Sequence, residues 1–413
     1  MLALGALDGA GTLIRVTPQT MQPSPSVCNE EVTSTATRWR DLALRALRRM
    51  YLSEQCLFAF RLCRGKEGRG DQDKLEGVSW RYTAIVLLAL ADEGPEVAKE
   101  VLHGRTCAEV CDRLIMHAWD SKDLGEVALT LWAARKLGHA GARGVLERLR
   151  QWEPHHIPCP TVELAWALAA LATPAGGEAD SSLANAIAAR LLGSQSTSSG
   201  LFSHWTPRGQ GGSSWRRHVC CFADMVYPIL ALSHYHRLTG SAQAKEAVRR
   251  CVDRMCGSQG PAGQWWWHYD VRTGHVIEPY PVYAVHQDAM GPMALLAAHD
   301  CCDVHVDAAI RKSVAWLAYA PEIETSLVDS SADVIWRKVC RREPGKLSRG
   351  IQALVSGAHS GLRAPWLDSL FPPCGVDYES RPYHMGWILY TWKQSVMSHP
   401  GGLPSQAMRH AQP

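Results

Sequence analysis

Four carboxylates hold equivalent places in this sequence, because Glu126, Glu163, Asp224 and Asp288 each open a strongly apolar stretch. His286 lies two residues before Asp288, and Tyr383-His384 opens a further stretch of the same kind. Paired carboxyl groups ~5–9.5 Å apart can act on a glycosidic bond as acid and base or nucleophile. A histidine exchanges protons near neutral pH, and a tyrosine beside it suits elimination or epimerisation. Each residue also has a plainer use. Acidic side chains at helix starts accept free backbone N–H groups and oppose the helix dipole, worth ~0.5–2 kcal/mol each. Histidines there can serve as hydrogen-bonding members of a polar layer.

Asp224 and Asp288 form the first candidate pair. Each is followed four residues later by a proline, Pro228 and Pro292, which fits near a helix start and sets both acids at a rim. If their helices are neighbours, the axes lie ~8–10 Å apart. Glu126 and Glu163 are candidates for holding a substrate at the same rim. The run Trp265-Trp266-Trp267-His268-Tyr269-Asp270 offers flat rings that stack on sugars or plug space between helices. Trp265, Trp267 and His268 are the candidate contacts, with at least one tryptophan expected as a plug. In Trp336–Gly350 six basic residues stand against one acid. Arg337 is its candidate for an anionic substrate group, the alternative being a solvated face.

His299, Cys302 and His305 have metal-ligand types. Four ligands at recognisable zinc spacing cannot be read there, so a polar turn is expected, with no metal site and no cofactor.

What must position these residues is a repeated helical unit. Set in register, Thr83-AIVLLAL, Glu126-VALTLWA, Glu163-LAWALAA, Asp224-MVYPILA, Asp288-AMGPMAL and His384-MGWILYT are apolar nearly all round. Helices of that kind must be enclosed. Between them lie amphipathic stretches at Trp39–Leu52, Cys107–His117, Ala142–Trp152, Ser182–Ser194, Ala242–Gly257 and Val304–Tyr319. The spacing predicts an all-α fold, an (α/α)6 toroid of six helical hairpins with an inner and an outer ring. All inner helices then start at one mouth, where the acids converge. Residues 39–395 form the toroid, 1–38 an extension and 396–413 a tail. The insertions at 200–217, 263–281 and 327–382 are expected as short hairpins over the mouth.

The 413 residues, 46% hydrophobic and 20% charged, support a large core, and the net charge of +3 gives no field for nucleic acid or an acidic membrane. No apolar run approaches the ~20 residues of a membrane span. The start lacks a secretory pattern, so a cytoplasmic protein is expected. Its 14 cysteines form no CxxC pair, which favours reduced, buried thiols.

Two phrases after outer helices, Gln195-STSS-Gly200-LFSHW and Gln259-GPA-Gly263-Gln264-Trp265, are similar to the Gln…Gly-x-Trp corner motif of terpenoid cyclases. With the helix alternation, residues 39–395 resemble the α/α-toroid class, which holds terpenoid cyclases, prenyltransferases, six-hairpin glycosidases and polysaccharide lyases. The acidic motifs of the cyclases do not occur here; Asp71-Gln72-Asp73 is the nearest. A rim of Asp, Glu, His, Tyr and Trp with Arg nearby suits a polyhydroxyl ligand. The expectation is an enzyme that hydrolyses, cleaves by elimination or epimerises an acidic or uronate-bearing glycan. An isoprenoid cyclase or transferase relative is the first alternative, and a non-catalytic scaffold or glycan-binding protein the second.

Overall fold

A helix with no polar face is stable only when walled in on all sides, and six such helices close into a ring here. The computed structural model describes residues 29–65, 73–174, 181–206 and 214–393. Its helices are α1 (Glu30–Met50), α2 (Trp80–Leu90), α3 (Pro95–Val101), α4 (Cys107–Asp120), α5 (Leu124–Lys136), α6 (Ala142–Trp152), α7 (Thr161–Ala172), α8 (Ser181–Gly193), α9 (Ala223–Thr239), α10 (Ala242–Gly257), α11 (Gly291–Cys302), α12 (Asp307–Ala318), α13 (Leu347–Ala358), α14 (Trp366–Leu370) and α15 (Pro382–Thr391). Packing runs α2–α5–α7–α9–α11–α15 and returns to α2. That closed circuit is the inner ring, and α1, α4, α6, α8, α10 and α12 are the outer members of the six hairpins. The fold is the α/α toroid that the pattern predicts.

The outer helices follow their predicted ranges closely, except the first. Helix α1 starts nine residues before Trp39, because Asn29 accepts a hydrogen bond from the Val32 N–H at 3.0 Å and Glu30 and Glu31 fill the first turn. The tail at 396–413 and most of the extension lie outside the described residues.

The corner phrases have a structural job. Gln195 Nε2 donates to the Gly200 carbonyl at 2.9 Å and to the Ala247 carbonyl of α10 at 2.8 Å. Gln259 Nε2 does the same to Gly263 and to Ala309 of α12, both at 3.0 Å. Each glutamine thus ties the turn after one outer helix to the next outer helix. The glycines lie at φ +77° and +102°, and a Cβ there would meet the Arg250 and Lys312 carbonyl oxygens at 2.8 and 2.0 Å. Only glycine permits that approach.

Short antiparallel strands run through the insertions as expected, but the third departs from a plain hairpin, because α13 and α14 lie within 327–382. The hairpin 268–270/276–278 pairs with 219–221, placing Cys221 opposite His268. Strand 338–340 lies between 282–283 and 375–377. The first insertion is described only in part, since 207–213 lie outside the described residues. Of the described residues, no helix is long and apolar enough to cross a membrane, and the described cysteines are free thiols.

Candidate functional site

The register acids do stand at the inner-helix starts, and each is held by a different partner. Glu126, in the first turn of α5, accepts hydrogen bonds from His117 Nε2 at 2.8 Å and Ser121 Oγ at 2.6 Å. Glu163 of α7 shares Arg81 with Asp123, both at 2.5 Å. Burial pushes the Glu163 carboxyl up, and Arg81 opposes the shift. Asp224, fully buried in the first turn of α9, accepts from His204 Nδ1 at 2.9 and 3.2 Å and from the Cys221 N–H at 2.8 Å. This carboxylate holds the His204 imidazolium, whose pKa rises to about 11.

Asp288 departs from the pattern in an informative way. Residues His286–Met290 form a single π-helical turn ahead of α11, a wider turn that recurs at functional sites. Its carbonyls are taken by side chains: Ser313 Oγ donates to Gln287 at 2.6 Å, Trp392 Nε1 to Asp288 at 2.6 Å and Thr391 Oγ1 to Ala289 at 3.2 Å. So fixed, the fully buried Asp288 carboxylate accepts from His384 Nε2 of α15 at 2.7 and 2.9 Å. Burial raises the Asp288 carboxyl, against the lowering effect of His384. Asp224 and Asp288 therefore begin neighbouring inner helices but are each engaged by their own histidine.

His286 completes this side of the mouth. It is 3% exposed, and its Nδ1 is buried with no hydrogen-bond partner among the described residues. Its ring stacks on Trp267 at 5.9 Å and packs against Tyr283 at 5.0 Å and Phe222 at 4.5 Å. Burial depresses its pKa to about 3, with the charges of His384 and Arg337 adding to the effect. One imidazole is thus kept neutral beside another that is tied to a carboxylate.

Arginines flank this aromatic box. Arg337 lies 5.2 Å over Tyr283 and Arg349 5.5 Å over Trp267, and the Nε of each is buried without a hydrogen-bond partner among the described residues. Arg337 also shares Glu379 with Arg61 and Arg381. The ring of Tyr383 stands 4.7 Å from Tyr82, and burial raises its phenol pKa.

Other expectations are corrected. Trp265 is fully buried and donates from Nε1 to Ser313 Oγ at 2.7 Å, so it is the plug and no sugar platform. His268 is buried, and burial followed by Arg349 drives its pKa well down. The basic run is only in part a solvated face: Arg342 and Lys346 are exposed, whereas Arg341 is buried on Glu278 at 3.0 Å and Lys338 pairs with Asp377 at 2.6 Å. His299, in the last turn of α11, bonds the Val304 carbonyl oxygen at 2.9 Å across the connection to α12, the polar interhelical contact that the polar-turn reading expects. Sequence reading missed His204, Cys221, Arg81, Tyr283 and Glu379. Arg81 is the second residue of α2, two positions before the register residue Thr83, a position that the acids alone did not flag.

No family model matches the chain, and no curated protein matches it. Among solved structures it is similar to the unsaturated glucuronyl hydrolase of Bacillus sp. GL1, responsible for the degradation of glycosaminoglycan, with 12% identity, 87% of this chain and 96% of that chain covered, and a TM-score of 0.56. A sugar epimerase from a ruminal bacterium aligns at 12% identity over 87% and 98% of the two chains, with a TM-score of 0.57. Cellobiose 2-epimerase from Bacillus thermoamylovorans B4167 aligns at 10% identity over 87% and 99%, with a TM-score of 0.56. At such identities the likeness is one of fold.

Proposed function

We propose that the chain is an enzyme that moves a proton on an acidic, uronate-bearing saccharide at the inner-helix mouth. The observation that carries this reading is the neutral His286, whose Nδ1 has no hydrogen-bond partner among the described residues, beside the His384–Asp288 pair. Of the hydrolase, lyase and epimerase readings, the geometry favours the last two. A two-carboxylate hydrolysis uses one carboxyl group as acid and another as base or nucleophile, whereas Asp224 and Asp288 are each hydrogen-bonded to a histidine.

In the proposed reaction His286 is the base and takes the hydrogen from the carbon beside the uronate carboxylate. Arg337 and Arg349 set positive charge against that carboxylate as it takes on enediolate character. His384, oriented by Asp288, returns a proton from the other face or assists a leaving oxygen. Return of the proton gives an epimer, and loss of the oxygen gives an unsaturated uronate. Trp267 and Tyr283 provide the apolar faces against which a sugar ring stacks. The fold neighbours that act on glucuronyl and other sugars support the saccharide class. A hydrocarbon substrate, as in the terpenoid alternative, fits poorly with so many charged and hydrogen-bonding groups.

The test is product analysis. Purified protein incubated with oligomers of several uronic acids should yield inverted or unsaturated uronate residues. New saturated reducing ends alone would overturn the proton-transfer reading in favour of hydrolysis, and unchanged oligomers throughout would remove the substrate class.

A further inference from the structure

His204, Cys221 and Asp224 bring three different ligand types together on the same mouth, one inner helix away from His286. One atom of each, an imidazole nitrogen, the Cys221 Sγ and a carboxylate oxygen, lies within 4.8 Å of the other two. Rigid elements hold all three. His204 precedes strand 205–206, which pairs with 159–160; Cys221 ends strand 219–221; Asp224 sits in the first turn of α9. The Cys221 N–H fixes the carboxylate by donating to it at 2.8 Å, the supporting contact that metal-binding carboxylates need.

We infer that His204, Cys221 and Asp224 form a three-ligand zinc site that opens onto the mouth. Thiolate, imidazole and carboxylate together suit Zn²⁺, whose bonds to S, N and O are about 2.3, 2.0–2.1 and 2.0–2.2 Å. Ligand atoms around a tetrahedral ion of that size are a little over ~3 Å apart, so the His204–Asp224 separation of 2.9 Å needs only a small opening. Binding releases the Cys221 thiol proton and the His204 Nδ1 proton to water. The buried carboxylate then faces a dication in place of an imidazolium. The His204 side chain is half exposed while Asp224 is fully enclosed, so the fourth position is left to water or to a substrate oxygen arriving from the mouth. This site is independent of the proton-transfer reading, because His286, His384 and Asp288 take no part in it.

The test is metal binding itself, on the full chain after treatment with a chelator and dialysis. Zinc added in competition with a chromophoric chelator should bind with one equivalent per chain. Cobalt in its place should give a thiolate-to-metal charge-transfer band. In Cys221→Ser the band should vanish, and in Cys221→Ser and His204→Gln zinc affinity should fall by more than the ~10–100-fold typical of losing a supporting outer contact. His299→Gln, in the last turn of α11, should bind zinc like the unaltered chain. Because His204 is half exposed, His204→Gln keeps its fold, checked by circular dichroism. Absence of stoichiometric zinc binding, binding unaffected by both site variants, or a cobalt spectrum without thiolate character would each overturn the assignment.

Discussion

His384 of α15 and Asp288 of the π turn face each other between the fifth and sixth inner helices, with Nε2 2.7 and 2.9 Å from the two carboxylate oxygens. The contact joins residues 96 positions apart and does two things. It locks the last inner helix to the fifth, and it fixes the imidazole beside His286.

Asp288→Asn keeps the shape of that contact but removes the charge that orients the imidazole. Turnover of a uronate substrate should fall by about 10²–10⁴, with KM little changed. Steady-state kinetics of the variant check this; a loss confined to KM would show that the pair binds substrate and does not move protons.

The neutral His286 makes a pH prediction. Its folded pKa, about 3, lies below its ordinary value of 6.5, so between these limits the unfolded chain binds more protons and stability rises with pH. The contribution is present above pH ~6.5 and is lost progressively as the pH falls towards 3. His268 and His234, also depressed by burial, act in the same direction. Urea midpoints measured from pH 4 to 7 should slope less steeply in His286→Gln, by close to one proton; parallel slopes would contradict the neutral assignment.

Arg349 stacks on Trp267 with its Nε unpartnered among the described residues, so its removal should act on the substrate more than on the fold. A charge-assisted hydrogen bond contributes about 1.5–3 kcal/mol. Arg349→Ala should raise KM for a uronate roughly 10- to 100-fold and leave the melting temperature within a few degrees. Equal effects on acidic and neutral sugars would exclude Arg349 as the carboxylate's counter-charge.

Gly263 tests the corner motif. Gly263→Ala forces a side chain into φ +102° against the Lys312 carbonyl, costing at least about 1–3 kcal/mol. Gly138→Ala, at φ +64° in open space, should cost less. Thermal or urea unfolding of the two variants gives the comparison, and equal losses would mean that the close approach is unimportant.

The ring was legible because its inner helices lack a polar face, a property that composition displays residue by residue. The acids at their starts were legible for the same reason, as the last polar positions before each apolar run. Their partners were not. His204 lies 20 residues ahead of Asp224 in a non-helical segment, and Glu379 sits deep in a long insertion, so only the folded chain brings them to the mouth. The π turn was hidden as well, since it depends on Ser313, Thr391 and Trp392 claiming its carbonyls from two distant helices. The triple tryptophan was half readable. Alternation implied that neighbours point apart, but which ring plugs was settled by Ser313 meeting Trp265.

Solvent isotope exchange tests the central claim most directly. In deuterium oxide, a uronate oligomer incubated with the protein should gain deuterium at the carbon beside its carboxylate, or lose that hydrogen on becoming unsaturated, and His286→Gln should abolish both. Exchange that persists undiminished in His286→Gln, or turnover in which that hydrogen is fully retained, would contradict the account.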